Sequence, residues 1–456
     1  MGKSTSFVDV IKNPGFLNLW INQILVQLSY NCLNFALIIW VFRLTDSTTA
    51  VSALLFSIYL PAVIFGLFAG VLVDITDRKK IIMAINFLVG LAFFSLIFLK
   101  TSYPAILFIT FLINSLAQFY APAESSAIPI VVKKHQLLTA NSIFSTTLFS
   151  SFLLGFGLAG PLISHLGIDF VFGFGGILLM IAFLLSLQFP SIVNKSDQAG
   201  LRLLKAVRNR HYIIIKQIGL SEIAQTLKLI RKNLAVLFAI FIMGGVQVVI
   251  GVLAVLVPSF FEKVLQINAT DASYIMVLPL GLGMVVGGFL IAKLGSKFSR
   301  RRIVGSAIIF AGLLFFLVGI SPLISPVTRY FPKPRPLPFV YQLNLSKILV
   351  AGSFLLGMAM VSVIIPSQTV LQESTPEEDR GKVFAVLAVV MSGLSLIPVL
   401  ITGILADLFG ALPIFIALGG TIALVGLLAL KPDFYFEEHH LPTNLKEFLG
   451  LGHWEK

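Results

Sequence analysis

Five polar side chains lie at helical spacing in an apolar run near the amino terminus. They are Gln23, Gln27, Tyr30, Asn31 and Asn34, and steps of three or four residues place them on one face of a helix. Their amide and hydroxyl groups donate and accept hydrogen bonds without carrying charge. Polar groups that face lipid are costly, so this stripe must face protein or a water-filled cavity. We interpret it as part of a substrate cavity, and the alternative is hydrogen bonding between helices.

The chain that carries this stripe is too apolar for a soluble domain. Of its 456 residues 57% are hydrophobic and 12% charged, with a mean hydropathy of +0.98, whereas soluble domains are about one quarter charged. A membrane helix needs about 20 apolar residues. The sequence therefore predicts an all-α integral membrane protein with twelve spans. We place them at 19–42, 50–73, 81–99, 104–122, 143–165, 170–189, 234–260, 271–292, 301–321, 348–366, 383–405 and 411–430.

The Lys and Arg residues of the chain are concentrated on one side of the predicted membrane spans. Of the 33 Lys and Arg residues, 26 fall in the loops and tails on the side of both termini. The positive-inside rule places that side in the cytoplasm. We therefore predict a multi-pass protein of the plasma (inner) membrane with cytoplasmic termini, and no nucleic-acid partner. The single cysteine, Cys32, argues against a disulfide framework, and we expect neither a metal site nor a cofactor.

Two spacings of proline and glycine recur in the two halves of the chain. Pro61 and Gly70 in span two are nine residues apart, as are Pro279 and Gly288 in span eight. Glycines seven apart end spans five and eleven, at Gly160, Gly167, Gly403 and Gly410. The offsets between the copies are 218 and 243 residues, and the difference of 25 matches a proline-rich segment, 322–346. The sequence thus predicts two pseudo-symmetric six-helix bundles.

The domain organisation follows from this repeat. We predict an amino-terminal bundle over 1–189, a cytoplasmic linker over 190–233, a second bundle over 234–430 with an external insertion at 322–346, and a cytoplasmic tail over 431–456. The end of the linker has apolar residues at helical spacing beside Lys and Arg, which indicates an amphipathic helix on an anionic membrane surface.

The turn after span two resembles the signature of the major facilitator superfamily. It reads Gly70-Val-Leu-Val-Asp74-Ile-Thr-Asp77-Arg78-Lys79-Lys80, with Asp77 where the signature has a second glycine. The turn after span eight keeps Gly288 and a basic cluster at 300–302, but Ala292 replaces the acid. Segments 122–129, 138–141 and 375–382 are similar to the branch that contains macrolide efflux proteins and the enterobactin exporter.

The resemblance implies gating roles for the residues of these turns. Asp74 would dock against the start of span eleven, at Gly381, and hold the two halves together in the outward-facing state. Arg78 would pair with Glu124 at the end of span four. The gating residues predicted in this way are Gly70, Asp74, Arg78, Glu124, Gly288, Arg380 and Gly381. The alternative is that these residues only determine topology.

The resemblance also extends the predicted cavity, since spans one, four, seven and ten line it in this family. Span four contributes Asn114 and Gln118, four residues apart, and span seven contributes Gln247. No acidic or basic residue lies near the predicted midplane of a span, and Glu124 falls just beyond the predicted end of span four. A cavity without fixed charge favours an amphipathic or apolar substrate.

The sequence therefore predicts a secondary transporter that exports amphipathic or hydrophobic small molecules by alternating access. We expect a monomer in the lipid bilayer, and protons are the candidate coupling ion. A lipid or lysophospholipid transporter of the same fold is the alternative. A multispan membrane enzyme would need a cluster of catalytic residues at membrane depth, and none is recognisable in the sequence. A receptor that does not transport stays open, although the Asp74 turn disfavours it.

Overall fold

The computed structural model describes residues 7–74, 76–189, 230, 233–329, 345–375 and 380–430. Within these ranges the chain is helical and contains no β-strand. Twelve of its helical segments are long and apolar enough to cross a membrane. The predicted all-α, twelve-span fold is confirmed, and the cytoplasmic location of the termini stays a prediction.

The α-helices of the described residues are α1 (Phe7–Ile11), α2 (Pro14–Thr45), α3 (Thr48–Asp74), α4 (Arg78–Leu99), α5 (Tyr103–Val131), α6 (Leu137–Leu166), α7 (Ile168–Ser186), α8 (Leu234–Ser259), α9 (Leu278–Leu294), α10 (Arg300–Arg329), α11 (Leu345–Glu373), α12 (Arg380–Phe409) and α13 (Ala411–Leu430). A π-helical turn, Phe260–Val264, continues α8, and another, Ser273–Val277, precedes α9. Helices α2 to α13 supply the twelve spans, in chain order.

The chain divides into two compact units. The first unit comprises Met1–Asp46 and Ala53–Leu227, and the second comprises Ser47–Ser52 and Lys228–Lys456. Helix α3 is therefore shared, because its first residues belong to the second unit. Helix α10 continues to Arg329, so the first eight residues of the predicted insertion 322–346 are helical. Most of that insertion, nearly all of the linker and the whole tail lie outside the described residues, and the predicted domain boundaries are not tested.

In the first unit α2 packs against α5, α6 and α7, while α4 packs against α5 and α7. Glycines allow these helices to approach closely. A Cβ atom on Gly155 of α6 would lie 2.5 Å from the Asn31 Cβ of α2, and Gly175 of α7 faces the ring of Phe93. Small residues have this role in membranes because lipid provides no hydrophobic force between helices.

The second unit repeats four of these five pairings and adds a contact between α9 and α11. Helix α8 packs against α11 and α12, α10 packs against α11 and α13, and α9 packs against α11. The α9–α11 contact is very close, since a Cβ atom on Gly283 would overlap the carbonyl oxygen of Phe354. A Cβ atom on Gly357 would likewise overlap the Leu280 carbonyl. Two glycines, Gly283 and Gly357, thus fix the distance between these helices.

An asparagine precedes the first span of each unit, where its side chain caps the helix and bonds to another segment. The Asn13 side chain caps α2 by accepting from Gly15 N at 3.0 Å, and its Nδ2 donates to the Val131 carbonyl at 2.6 Å. The Asn233 side chain caps α8 by accepting from Ala235 N at 3.1 Å, and its Nδ2 donates to the Ser374 carbonyl, which follows α11, at 3.1 Å. Each asparagine satisfies free helix N–H groups and ties its span to the fourth span of the same unit.

The glycines that end spans five and eleven also share a conformation. Gly167 connects α6 to α7 with φ of 84°, and Gly410 connects α12 to α13 with φ of 82°. Backbone with positive φ is readily adopted by glycine and disfavoured for other residues. The repeat that the sequence indicates at these positions therefore has matching φ angles.

Candidate functional site

A buried cluster of hydrogen-bonded side chains lies inside the first unit, where α2, α4 and α5 meet. Tyr120 and Glu124 of α5 are 4% and 6% exposed, and Asn22 of α2 and Asn86 of α4 are fully buried. The Tyr120 hydroxyl lies 2.8 Å from Glu124 Oε1 and 2.9 Å from Asn22 Oδ1. Asn86 Nδ2 donates to Asn22 Oδ1 at 3.3 Å, and Asn22 Nδ2 donates to the Ala182 carbonyl of α7 at 2.7 Å. The cluster thus joins four helices.

The position of Glu124 differs from the sequence prediction. Span four was predicted to end at 122, which would leave Glu124 outside it, but α5 continues to Val131 and buries this carboxyl group. Pro122 lies inside the helix and lacks an N–H donor, which sequence reasoning takes as a boundary. Membrane helices tolerate proline, because their surroundings can satisfy the backbone group that it frees.

The predicted pair of Arg78 and Glu124 is replaced by other contacts. The Arg78 side chain is 3% exposed, and its Nε donates to Ser126 Oγ at 2.7 Å. Among the described residues, Glu124 bonds only to Tyr120. Residues two apart on a helix point about 200° away from each other, so Ser126 and Glu124 face different sides of α5.

The predicted polar stripe of α2 divides into buried and half-buried members. Gln23 is buried, and its Nε2 donates to the Phe144 carbonyl of α6 at 3.3 Å. Gln27, Tyr30, Asn31 and Asn34 are half-buried. The Gln23 Oε1 and the Tyr30 hydroxyl are enclosed and have no hydrogen-bond partner among the described residues. Enclosed polar atoms of this kind are normally satisfied, so water or a ligand is the expected partner.

The other predicted cavity residues make local contacts. On α5, Asn114 Nδ2 donates to the Thr110 carbonyl at 2.8 Å, and Gln118 Nε2 donates to the Asn114 carbonyl at 3.3 Å. Both bonds lie within one helix, and neither joins the buried cluster. Gln247 of α8 is half-buried. Their roles in substrate binding stay predictions.

The structure describes the surroundings of the predicted gating glycines but not the side chains of Asp74 and Arg380. A Cβ atom on Gly70 or Gly381 would meet no atom within 4 Å, and one on Gly288 would lie 3.8 Å from Ile365 Cδ1. Asp74 ends α3 and Arg380 begins α12, but their side chains lie outside the part of the chain that is described. Docking of Asp74 against the start of α12 therefore stays a prediction.

The carboxylate of Asp407 caps the N-terminus of α3. Asp407 Oδ1 accepts from Thr48 N at 2.7 Å and from Thr48 Oγ1 at 2.5 Å, and Oδ2 accepts from Ser47 Oγ at 2.6 Å and from Thr49 N at 2.9 Å. All of these residues belong to the second unit. A carboxylate at a helix N-terminus satisfies free N–H groups and interacts favourably with the helix dipole.

Sequence reasoning missed Asn22, Asn86, Tyr120 and Asp407. Asn22 precedes Gln23 but lies off the stripe, and Asn86 is a single amide within an apolar run. The spacing of Tyr120 and Glu124, four residues on one helix, was a detectable signal. The predicted end of span four at 122 separated the two and concealed it.

The chain was compared with families and proteins of known sequence. The model of the Major Facilitator Superfamily matches residues 19–331 and 336–449. The chain is 20% identical to macrolide efflux protein A of Streptococcus pyogenes over 426 residues, which cover 91% of this chain and 94% of that protein. It is 23% identical to the MFS-type transporter YjbB of Bacillus subtilis over 430 residues, which cover 93% and 96%.

Solved structures give the same fold. The nucleoside transporter NupG matches with a TM-score of 0.66 and 16% identity, over 92% of this chain and 99% of that one. A POT family transporter in complex with 5-aminolevulinic acid matches with a TM-score of 0.66 and 13% identity, over 92% and 97%. At these identities the likeness concerns the fold alone. The family model nevertheless covers most of the sequence, and the chain belongs to the major facilitator superfamily.

Proposed function

We propose that this transporter exports amphipathic or hydrophobic small molecules from the cytoplasm by alternating access. We place it in the plasma membrane as a monomer with both termini in the cytoplasm. The macrolide efflux protein to which it is similar supports the direction and the substrate class. The distribution of Lys and Arg supports the orientation.

The observation that carries the substrate class is the uncharged polar stripe of α2. One of its members, Tyr30, also offers an aromatic ring, which lies 6.4 Å from the ring of Phe93, edge to face. Arg43, near the end of α2, is the one charged side chain of this helix. Neutral donors and acceptors beside apolar surface suit a ligand that combines a polar group with an apolar body.

Ethidium movement in inside-out membrane vesicles tests the proposal. We expect ethidium to accumulate in vesicles that contain the protein. In the Gln27→Ala and Asn31→Ala variants we expect a higher ethidium concentration at half-maximal transport. Loss of one hydrogen bond of about 1 kcal/mol corresponds to about a fivefold change. Asn18→Ala is the matched control, because Asn18 lies on the opposite side of α2 from Gln27 and bonds to Gln188.

Absence of ethidium movement in these vesicles, with and without a pH gradient, would contradict the exporter proposal. A fluorescent lysophospholipid is then the second probe. Movement of that lipid without movement of ethidium would favour the lipid-transporter alternative.

A further inference from the structure

We propose that Glu124 is a proton-binding site, and that Tyr120 and Asn22 transmit its protonation state to α2. The use of this site in transport rests on the proposed function. The site itself is argued from the hydrogen bonds of the buried cluster in the first unit.

The hydrogen bonds of Asn22 fix the orientation of its side-chain amide. Its Nδ2 lies 2.7 Å from the Ala182 carbonyl, which can only accept, so this atom must be the NH₂ group. The other amide atom, Oδ1, is therefore an acceptor. It faces the Tyr120 hydroxyl at 2.9 Å and Asn86 Nδ2 at 3.3 Å.

The Tyr120 hydroxyl has one hydrogen and two neighbouring acceptors. Asn22 Oδ1 is one of them, and Glu124 Oε1, at 2.8 Å, is the other. If Glu124 is ionised, it is acceptor-only, and the single hydrogen can satisfy just one of the two contacts. If Glu124 is protonated, its O–H donates to the Tyr120 oxygen and the Tyr120 hydrogen goes to Asn22. Only the protonated acid satisfies both contacts.

Proton binding therefore switches one hydrogen bond between helices. When Glu124 loses its proton, the Tyr120 hydrogen turns to the carboxylate, and the contact between Tyr120 and Asn22 loses its hydrogen. The bond lost joins α5 to α2, and Asn22 adjoins Gln23, the first residue of the polar stripe. On deprotonation the O–H bond of the Glu124 carboxyl group breaks and the proton passes to water, and no other covalent bond changes.

The surroundings of Glu124 hold few charges. The titratable or charged side chains on the helices that contact α5 are Tyr30, Cys32 and Arg43 on α2, Tyr59 and Asp74 on α3, Arg78, Lys79 and Lys80 on α4, and His165 on α6. Of these, Arg78 Nε donates to Ser126 Oγ, and Lys79 Nζ donates to the Leu187 carbonyl. Within the described part of the chain no cation bonds to Glu124. Burial without such a cation disfavours the ionised form of a carboxyl group, so a neutral acid fits this environment.

Infrared difference spectroscopy of the full-length protein in detergent tests the site without any substrate. The carbonyl stretch of a protonated carboxylic acid is separate from that of a carboxylate, and its amplitude is followed as pH is varied. We expect a protonated-acid band at neutral pH that is lost in Glu124→Gln. Asp169→Asn is the matched control, because Asp169 is an exposed acid of the same unit that pairs with Lys100.

Two further variants separate the hydrogen-bond switch from a purely structural role. Asn22→Leu removes the acceptor that favours the protonated state, so the band should be weaker at a given pH. Tyr120→Phe removes the only described donor to the carboxylate, and bonds to charged groups are the stronger ones, so the band should persist to higher pH. A structural role predicts no such opposite changes. Tyr120→Phe is nearly isosteric and decides the test even if Asn22→Leu does not fold.

An unchanged band in Glu124→Gln, or equal loss of the band in Asp169→Asn, would overturn the proposal. Failure of ethidium transport would remove the exporter proposal, but the infrared result would still decide the proton site.

Discussion

Helices α3 and α9 occupy the same place in the repeat, but their packing differs. The offset of 218 residues aligns Phe65 of α3 with Gly283 of α9. Gly283 brings α9 against the Phe354 carbonyl of α11, whereas the Phe65 ring lies 6.1 Å from the Phe119 ring of α5. The backbones of α3 and α5 make no comparably close contact within the described residues. A bulky side chain thus separates a helix pair that glycines bring together in the other unit.

The interiors of the two units also differ in the kind of contact that holds their helices together. The first unit buries an acid in a network that joins four helices, and the second holds α9 and α11 together through backbone contact. The glycine contacts leave α9 and α11 little freedom to move relative to each other, because protein interiors are close-packed. A polar network can change with protonation or ligand. We therefore expect the first unit to respond to protonation, as proposed above, and α9 and α11 to stay packed against each other.

The largest effect is expected where α9 touches α11. Gly283→Val places a branched side chain against the Phe354 backbone, and overpacking of this kind costs up to about 3 kcal/mol. The midpoint of thermal unfolding in detergent should fall accordingly. Gly352→Ala is the control, because its Cβ would meet no atom within 4 Å and alanine favours the helix. Equal loss in both variants would contradict the close contact.

The asparagine caps should contribute similarly to the free energy of unfolding in the two units. Asn13→Ala and Asn233→Ala each remove a helix cap and a hydrogen bond to another segment, which together stabilise by about 2 kcal/mol. Thermal unfolding measures the loss, and labelling of the buried Cys32 by a thiol reagent reports on the first unit. A large effect of one variant beside none of the other would contradict the repeated role.

A smaller effect is expected at the start of α3. Asp407→Asn removes a charged cap, and because Asp407 is exposed we expect a loss of about 1 kcal/mol. Thermal unfolding again measures the loss. Asp169→Asn is the control, since an exposed ion pair contributes little. A larger loss in the control would mean that Asp407 does not hold α3.

An effect of about the same size is expected at Phe65. Phe65→Ala removes a half-buried ring contact with Phe119, and such aromatic pairs contribute about 0.5–1.5 kcal/mol. The midpoint of thermal unfolding should therefore fall less than in Gly283→Val. A loss that equals that of Gly283→Val would remove the difference between the two helix pairs.

The parts of this structure that the sequence predicts are those that depend on local pattern. Twelve apolar runs predict twelve spans, and the spacing of Gly160 and Gly167 predicts a repeat whose corners share positive φ. The buried cluster depends instead on which helices meet. Asn22 and Asn86 lie 64 residues apart, and nothing in the sequence indicates that their amides touch. Pro122 concealed Glu124, because a helix boundary and a proline inside a membrane helix look alike in sequence.

We propose that Glu124, the buried acid of the first unit, couples protons to export. Purified protein in liposomes allows two modes to be compared, namely ethidium accumulation driven by a pH gradient and ethidium exchange without one. We expect Glu124→Gln to keep exchange and lose gradient-driven accumulation, while Asp169→Asn keeps both. Gradient-driven accumulation at the wild-type rate in Glu124→Gln would contradict this proposal.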